Sequence, residues 1–253
     1  MSRFVYGLNP VLEALQERPR EVVRVLLERG RDGRRSHAGE RAFEVATAAG
    51  VHVEDAAHGE LSRRSQGGVH QGVGAEMVEF RYAELTGLLE AARSKGEAPF
   101  LLLLDGITDP QNLGALARSA HALGAHGLVL PKDRAAGIGP AAFKAAAGAL
   151  EHCPVARVTN LSRALDDLKD QRVWSVALAA EGESDLSSID LTSGIALVLG
   201  SEGKGVRPLV RKTCDHVARI PMSGRVGSLN VSAAGAIAAY EVARQRRSRR
   251  SAP

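Results

Sequence analysis

The chain has 253 residues, of which 44% are hydrophobic and 25% are charged, and this composition is that of a globular protein. Because the length exceeds the commonest size of a single domain, we expect two domains. The longest apolar runs, at 100–104 and 195–199, are far shorter than the roughly 20 residues that span a bilayer. The start of the chain does not resemble a secretory signal. We therefore expect a cytoplasmic protein without a membrane span.

The cysteines and histidines do not form a recognisable metal or disulfide pattern. Cys153 and Cys214 are far apart and neither belongs to a CxxC pair, so the sequence encodes neither a zinc ribbon nor a disulfide framework. The eight histidines fall in neither HxxxH nor HExxH spacing, which argues against a metal hydrolase. We expect ordinary semi-buried thiols and no metal.

The positive charge is unevenly distributed. A formal net charge of +4 is modest for a nucleic-acid-binding protein. The arginines nevertheless concentrate in three places, which are Arg29, Arg31, Arg34 and Arg35, then Arg63 and Arg64, and finally the stretch 244–253. A solvated loop or a frayed end explains any one cluster equally well. Three clusters together favour a polyanionic partner.

The first 80 residues have the pattern of a small α/β domain. Asn9 followed by Pro10 predicts a helix start with Asn as its cap. Strands are predicted at 22–27 and 51–53, with a helix between them at 40–49 that ends before Gly50. A short basic helical stretch then leads into the glycine-rich segment 67–72, which is followed by a strand through Phe80.

The rest of the chain alternates between strands and helices. We interpret residues 81–98, a polar helical pattern that closes with SKGEAP, as a linker. The strands predicted after it are at 100–104, 128–130, 155–158, 173–179, 195–199 and 217–220, and the helices are at 113–123, 141–150, 161–169, 209–212 and 229–247. Apolar strands between amphipathic helices predict a buried parallel sheet that is covered on both faces. Ligands bind such sheets at the carboxyl ends of the strands, in the loops that lead into helices.

The loop at 104–114 is the first of three that can carry chemistry. It has an Asn at a predicted helix cap, Asn112, and Arg118 follows on the second turn of the helix, near the same loop. An ordinary turn with a capping residue and a surface arginine explains this pattern equally well. The loop alone does not predict a function.

The second loop is GSEGKG at 200–205, directly after an apolar strand. A nucleotide-binding P-loop needs four residues between its first glycine and the Gly-Lys pair, followed by Ser or Thr, so the spacing excludes that motif. Three glycines in six residues indicate a tight turn or a close approach to a ligand. Glu202 is therefore a candidate functional residue, with an exposed loop carboxylate as the alternative.

The third loop runs from 220 to 235. Ser228 and Asn230 are both suitable caps for the final helix, and the small residues that follow permit close backbone contact. Ile220 and Met222 precede the glycine-containing turn at 223–227. They are explained equally well as core residues and as the apolar wall of an adenine pocket.

Taken together, the three loops resemble the signature motifs of one family. The motifs are DPxNxGAxxRSA at 109–120, GSEGKG at 200–205, IPM at 220–222 and SLNVSAA at 228–234. In this order and spacing they resemble the TrmH/SpoU branch of the SPOUT methyltransferases. The N-terminal residues, including GGVHQG at 67–72, are similar to the RNA-binding domain of the RlmB-type 23S ribosomal RNA guanosine-2'-O-methyltransferases. The departures are slight, with Ser201 where Asn or Ala is frequent and Ala233 where Val is frequent.

The resemblance implies an RNA-binding domain at 1–80, the linker, and an α/β methyltransferase domain at 99–253 that has a trefoil knot at its C-terminal end. It implies S-adenosylmethionine as cofactor and ribosomal RNA as partner. It further implies a homodimer with the last helix and the knot region at the interface. The implied cofactor-binding residues are Gly200, Ile220 and Leu229, with Leu199, Gly203, Met222 and Ser228 nearby. The implied catalytic residues are Asn112, Arg118, Glu202 and Asn230.

Methyl transfer from a sulfonium is an in-line displacement with a good leaving group, so the enzyme mainly has to orient and activate the ribose 2'-hydroxyl. The resemblance places Arg118 beside that hydroxyl. Because a guanidinium stays protonated in proteins, we expect Arg118 to stabilise the developing alkoxide and not to act as a base. Asn112 and Asn230 would orient Arg118 and the ribose, while Glu202 would fix the loop or pair with a cation.

Other functions are compatible with the same resemblance. Related enzymes methylate transfer RNA or an adenosine of ribosomal RNA. A noncatalytic RNA-binding factor in ribosome assembly would keep the fold without turnover. The N-terminal domain favours a guanosine of 23S ribosomal RNA by analogy. The presence of Gly200, Glu202, Asn230 and Arg118 together favours an enzyme, because a protein that only binds RNA does not need all four.

Overall fold

The structure is a computed structural model that describes residues 3–30, 33–224 and 227–250. The strands in chain order are β1 (Arg3–Tyr6), β2 (Val22–Leu27), β3 (Val53–Asp55), β4 (Val73–Met77), β5 (Phe100–Asp105), β6 (Gly127–Pro131), β7 (Val155–Val158), β8 (Val173–Leu178), β9 (Ser184–Asp185), β10 (Gly194–Gly200) and β11 (His216–Arg219). The helices are α1 (Leu8–Glu17), α2 (His37–Ala48), α3 (Glu60–Arg64), α4 (Leu85–Ser94), α5 (Pro110–Ala122), α6 (Pro140–Ala146), α7 (Leu161–Asp170), α8 (Pro208–Thr213) and α9 (Val231–Arg250).

The chain forms two compact units, and the first of them is discontinuous. It contains Met1–Arg81 and Gly137–His152, and the second contains Tyr82–Ala136 and Cys153–Pro253. The sheet of the first unit has the order β1-β4-β2-β3. Its β4 pairs antiparallel with β1 and β2, whereas β2 and β3 are parallel. The predicted small α/β unit is therefore present, with β1 as a strand that the sequence pattern did not indicate.

The helices of the first unit begin at other residues than predicted. Asn9 lies inside α1, and Gly7 occupies the cap position without a side-chain cap. The amide of Leu8 instead donates to Oε1 of Gln71 at 3.1 Å. Helix α2 begins at His37 because Oγ of Ser36 accepts a hydrogen bond from the Gly39 amide at 3.1 Å. A capping side chain distant in sequence is not visible to a local pattern.

A segment from the middle of the chain packs in the first unit. The sequence pattern grouped a single helix at 141–150 with the second domain. In the structure α6 contacts β1 and α1, and it ends at Ala147 and Gly148, whose φ angles are 48° and 95°. The guanidinium carbon of Arg3 lies 4.5 Å from the ring centroid of Phe143, and Arg3 Nη2 lies 3.7 Å from Glu151 Oε2. Burial lowers the pKa of Arg3 and raises the pKa of Glu151, so each charge depends on the other.

The second unit contains the predicted parallel sheet, which the structure confirms. Its strand order is β7-β6-β5-β10-β8-β11-β9, and the paired strands run parallel. Strands β5 and β10 lie next to each other near the middle and are almost entirely buried. Side chains of α4, α7 and α8 pack in one core cluster with alternate residues of these strands. Helices α5 and α9 pack against each other, with α9 against β10. The predicted cover on both faces is thus present.

The segment predicted as a linker belongs to the core of the second unit. Helix α4 lies within residues 81–98, and its Leu88, Leu89 and Ala92 are buried. Leu88 and Leu89 pack in the same cluster as Leu101 and Leu103 of β5. The helix has a polar outer face around a narrow apolar stripe, and that polarity made the sequence resemble a connection. The division into an RNA-binding and a catalytic domain stays a prediction.

The arginine clusters are largely engaged within the chain. Arg29 and Arg35 lie 2.9 and 3.5 Å from carboxylate oxygens of Asp55. Arg64 contacts Glu76 at 3.3 Å and also lies over the Phe4 ring. Arg63 is exposed, and Arg31 lies outside the described residues. Ion pairs of this kind leave these arginines less available to a polyanion than their sequence positions indicate.

The arginine-rich end of the chain continues α9 as far as Arg250, whereas residues 251–253 lie outside the described part. Arg246 anchors this end of the helix, because its guanidinium donates to the carbonyl oxygens of Ala98, Pro99 and Ser193 at 2.7 to 3.1 Å. This part of the stretch is therefore built into the second unit and is not a frayed tail.

Both cysteines are free thiols, as expected. Cys153 is buried and Cys214 is half-buried. Burial raises the pKa of each thiol to about 12, so both stay protonated at neutral pH. Within the described residues, no helix is both long enough and apolar enough to cross a bilayer.

The packing of α9 gives a stability test with a matched control. A Cβ atom on Gly235 would lie 2.3 Å from Cδ2 of buried Leu116 and 2.9 Å from Cδ1 of Leu199. Gly235→Ala should therefore lower the free energy of unfolding by about 1–3 kcal/mol, the usual cost of overpacking a core. Gly87 is also helical, but a Cβ there meets nothing within 4 Å, so Gly87→Ala should raise stability by up to about 1 kcal/mol.

Urea denaturation of the two variants and the wild type measures both effects. Opposite shifts of the unfolding midpoint are expected. A Gly235→Ala variant as stable as the wild type would show that α5 and α9 do not pack this closely.

Candidate active site

Two loops of the second unit lie side by side because their strands are paired. Strand β10 pairs in parallel with β5 in a register that places Gly200 opposite Asp105. The loop after each strand therefore leaves the same edge of the sheet from neighbouring positions. Parallel α/β sheets bind ligands at this carboxyl edge.

A buried ion pair ties the two loops together. The side chain of Asp105 is completely buried, and its Oδ2 accepts the backbone N–H of Arg207 at 2.8 Å. Its Oδ1 accepts Nε of the same arginine at 2.7 Å. Charge-assisted hydrogen bonds to both carboxylate oxygens fix where the segment after GSEGKG returns to the sheet. Neither residue belongs to a sequence motif, although a carboxylate at the end of a continuous apolar strand is a signal for such a pair.

The GSEGKG loop folds back on itself as a tight turn. The amide of Gly205 donates to the carbonyl oxygen of Ser201 at 2.8 Å, and Gly203 and Gly205 have φ angles of 78° and 64°. At Gly200 a Cβ would lie 1.9 Å from the carbonyl carbon of Gly205 and 2.0 Å from the nitrogen of Val206. The close approach predicted for these glycines is therefore one between two parts of the same backbone.

Three predicted catalytic side chains meet in one hydrogen-bonded group, which we call the amide–carboxylate cluster. It consists of Asn112 on α5, Glu202 in the GSEGKG loop and Asn230 before α9. Nδ2 of Asn112 donates to Oε1 of Glu202 at 3.1 Å, and Nδ2 of Asn230 donates to the same oxygen at 2.6 Å. Nδ2 of Asn230 also lies 3.0 Å from Oδ1 of Asn112. Segments far apart in sequence thus converge at one point.

Helix capping explains why these amides are free to meet. Asp109 caps α5 by accepting the amide of Gln111 at 2.9 Å, so Asn112 is not the cap and its side chain is free. The predicted cap at Asn112 is therefore wrong. Asn230 is the cap of α9, since its Oδ1 accepts the amide of Ser232 at 2.9 Å. Because its Oδ1 accepts a hydrogen bond from the helix and its Nδ2 donates one to Glu202, the orientation of the whole amide is fixed.

A cavity of about 690 Å³ opens beside the amide–carboxylate cluster. Glu202 and Asn230 line it, and so does every residue predicted to bind the cofactor, namely Leu199, Gly200, Gly203, Ile220, Met222, Ser228 and Leu229. Its volume lies within the range of roughly 300–1,000 Å³ that is usual for small-molecule sites. Of the turn at 223–227, residues 225 and 226 lie outside the described part of the chain.

Family models match both parts of the chain. Residues 99–240 match the SpoU rRNA Methylase family, and residues 4–83 match the model described as RNA 2'-O ribose methyltransferase substrate binding. The chain belongs to the SpoU rRNA methylase family. Relatives of this SpoU methylase are similar over almost their full length. The 23S rRNA (guanosine-2'-O-)-methyltransferase RlmB of Yersinia pestis is 43% identical, over 97% of this chain and 98% of that protein. RlmB of Escherichia coli is 41% identical, over 97% of this chain and 100% of that protein.

Solved structures of SpoU methylases have the same fold. The crystal structure of the SpoU methyltransferase AviRb from Streptomyces viridochromogenes in complex with the cofactor AdoMet has a TM-score of 0.79 and 27% identity. The match covers 98% of this chain and 91% of that one. An AdoMet-bound rRNA methyltransferase from Sinorhizobium meliloti has a TM-score of 0.74 and 26% identity, covering 96% and 87% of the two chains.

Arg118 of this SpoU methylase does not join the cluster. It is exposed, it does not line the cavity, and it makes no hydrogen bond or ion pair within the described ranges. Six residues along a helix correspond to about 600°, which leaves Arg118 about 120° around α5 from Asn112 and about 9 Å along its axis. We expected the side chains of Asn112 and Arg118 to lie near the same loop, and within one chain they do not.

Residues outside the three motif loops also line the cavity. Glu181, after β8, and Arg211 on α8 both line it and form an ion pair with each other. Ala179 and Ala180 contribute further wall at the end of β8. Ala180 and Glu181 follow the predicted strand at 173–179, which was the available signal, but the loop there has no distinctive motif.

Proposed function

We propose that this chain transfers the methyl group of S-adenosylmethionine to the ribose 2'-hydroxyl of a guanosine in 23S ribosomal RNA. The observation that carries the proposal is the cavity beside the amide–carboxylate cluster, in a chain whose two parts match a SpoU methylase and a 2'-O ribose methyltransferase substrate-binding model. The RlmB relatives of similar length supply the substrate class.

The cavity suits S-adenosylmethionine in its lining. Leu199, Ile220 and Leu229 offer apolar side chains for a purine, and the glycines at 200 and 203 expose backbone groups to polar parts of a ligand. When bound there, the cofactor supplies an activated methyl group on a sulfonium. The AdoMet complex of AviRb supports this assignment.

The residues of the cluster would position the nucleophile. One oxygen of Glu202 accepts hydrogen bonds from both amides, so the carboxylate holds Asn112 and Asn230 in fixed orientations. We assign Arg118 the stabilisation of negative charge on the ribose oxygen, because a guanidinium cannot take up a proton. That assignment requires a route by which Arg118 reaches the cavity.

A homodimer provides such a route. Ile237 and Tyr240 of α9 are 44% and 51% exposed, although both are large apolar side chains. They lie on the helix that packs against α5, which carries Arg118. A second copy of the chain that covers this surface would remove the apolar area from water and could bring its Arg118 near the cavity. We also assign the C-terminal trefoil knot on the family resemblance, and we place the enzyme in the cytoplasm with its ribosomal RNA partner.

The proposed activity predicts a defined product. With labelled S-adenosylmethionine, the wild type should methylate 23S ribosomal RNA, and nuclease digestion should release 2'-O-methylguanosine. Label in transfer RNA alone would show that transfer RNA is the substrate. Label in 2'-O-methyladenosine would show that the enzyme methylates adenosine and not guanosine. If the protein binds the cofactor but labels neither naked transcripts nor ribosomal precursors, the proposal is wrong and the chain is a noncatalytic factor.

The glycine at the start of the GSEGKG loop should be essential for cofactor binding. Gly200→Ala forces the loop backbone apart, because no space exists for a Cβ atom. We expect at least a tenfold weaker Kd for S-adenosylmethionine by calorimetry, equal to about 1.4 kcal/mol. Gly87→Ala, on α4, should bind as the wild type does. Equal affinity of the Gly200 variant at an unchanged thermal midpoint would place the cofactor elsewhere.

Arg118→Ala should abolish turnover and leave the affinity for S-adenosylmethionine nearly intact, since Arg118 is assigned to the ribose oxygen and does not line the cavity of its own chain. Calorimetry and a methylation assay separate the two effects. Weak cofactor binding in this variant would show that the role is misassigned.

Mixing inactive proteins tests the route across a dimer. If Arg118 acts at the cavity of the other protomer, unfolding and refolding Arg118→Ala together with Asn230→Ala should restore about a quarter of the wild-type activity, because half of the dimers then contain one complete site. Each variant refolded alone is the control. No recovery, with mixed dimers confirmed by differential tags, would place Arg118 and Asn230 of one chain in the same site.

A further inference from the structure

A second cavity lies at the carboxyl edge of the same sheet. It has a volume of about 520 Å³ and is lined by the ends of β6 and β7 and by the start of α8. The residues with functional groups in it are Asp133, Arg134, Thr159, Asn160, Ser162 and Arg207. None of them belongs to the amide–carboxylate cluster or to the cofactor cavity.

The segment at 206–211 forms the wall between the two cavities. Arg207, Leu209 and Val210 line the second cavity, whereas Val206 and Arg211 line the first. Arg207 is the residue that Asp105 holds in place. A ligand in the second cavity would therefore lie next to the cofactor site, against a wall that a buried ion pair keeps fixed.

Two guanidinium groups line the second cavity, and that of Arg134 supplies its unpaired positive charge. Arg207 retains 44% of its side-chain exposure despite its bond to Asp105. Arg134 is exposed and makes no ion pair within the described part of the chain. Asp133 is the one carboxylate among the lining residues, and it can accept a hydrogen bond from a base amino group or a ribose hydroxyl.

The backbone of Arg134 is in an unfavourable conformation. Its φ angle is 59°, in the left-handed region, where a residue other than Gly, Asn or Asp costs roughly 1–2 kcal/mol. Among the described residues, no hydrogen bond or ion pair of the Arg134 side chain offsets this cost. Strained residues of this kind occur preferentially at binding sites, where the side chain serves a ligand.

The remaining walls are apolar, and one of their side chains is exposed. Leu209 is 66% exposed, which is unusual for a leucine, and Leu161, Val210 and Pro131 complete this side of the cavity. Apolar side chains can contact the face of a base, while arginines bind phosphate. Thr159, Asn160 and Ser162 also line the cavity, and Oδ1 of Asn160 accepts the first amides of α7.

We propose that the second cavity binds an unpaired nucleotide of the RNA substrate, other than the one that is methylated. Its base lies against Leu209 and its phosphate contacts Arg134, while the exposed part of the Arg207 guanidinium, whose other atoms bind Asp105, lines the same cavity. The combination of an unpaired cation, an apolar wall and hydrogen-bonding groups fits a nucleotide and fits neither a purely apolar ligand nor a simple anion. The inference rests on the proposed function, because the adjacent cofactor cavity is what brings RNA to this edge.

The test uses two variants of this chain, a matched control and a conservative variant of Arg134. Arg134→Asn removes the cation and suits the left-handed backbone, and Leu209→Ser removes the apolar wall from an exposed position. Arg172→Asn is the control, because Arg172 is also exposed and left-handed, with a φ angle of 60°, but it precedes β8 at the opposite edge of the sheet. The probe is the RNA fragment that the wild type methylates, and Kd is measured by filter binding at several salt concentrations.

We expect both variants to bind the RNA at least tenfold more weakly than the wild type, with unchanged Kd for S-adenosylmethionine. The slope of log K against log salt should become shallower by about 0.7 for Arg134→Asn, which loses one phosphate contact to a single strand, and should stay unchanged for Leu209→Ser. Arg134→Lys should restore the wild-type slope. The control should bind as the wild type does.

Unchanged RNA affinity in both variants would overturn the inference while wild-type methylation still supports the proposed function. If the wild type methylates no RNA, the proposed function itself is wrong. Guanosine monophosphate is the second probe. If it saturates the wild type but not Arg134→Asn, and RNA affinity is the same in both, the cavity belongs to a free nucleotide and the inference is wrong.

Discussion

The carboxylate of Asp105 is the fixed point around which the carboxyl edge of the second unit is arranged. Its burial would cost several kcal/mol if it were unpaired, so the chain that returns from the GSEGKG loop has to bring Arg207 to it. This constraint determines the path of the loop between Gly200 and Arg207. The wall between the two cavities follows from it, because α8 begins at the next residue, Pro208. Both cavities therefore depend on one ion pair, whose Arg207 lines the second cavity and whose residues do not line the first.

Helix capping determines which side chains form the amide–carboxylate cluster. Asp109 satisfies the first amides of α5 and so releases Asn112, whereas Asn230 caps α9 and contacts Glu202 with the other end of the same amide. A side chain that is held at both ends loses its rotational freedom in folding and not in substrate binding. The cluster is thus preorganised by groups whose first task is to stabilise helix ends.

Arginine has three different uses in this chain. Arg246 and Arg207 bind carbonyl or carboxylate oxygens within the second unit, and Arg29 pairs with Asp55 in the first. Arg118 and Arg134 have no such partner among the described residues, and both are exposed. The number of arginines in a stretch of sequence does not distinguish these three uses. An arginine without an internal acceptor is the better indication of a surface that binds phosphate.

The sequence by itself determined the parallel sheet and the tight GSEGKG turn, because apolar strands of fixed length and glycines in tight turns are local requirements. The residues predicted to bind the cofactor came from the resemblance of the three motif loops to one family, and no local pattern indicated them. Tertiary structure alone decided that α4 joins the second core, that α6 packs with Arg3 in the first unit, and that Arg118 lies away from Asn230. The reason is physical. Which face of a helix is buried, and which distant carboxylate accepts an arginine, depend on neighbours that are remote in sequence, so no local pattern records them.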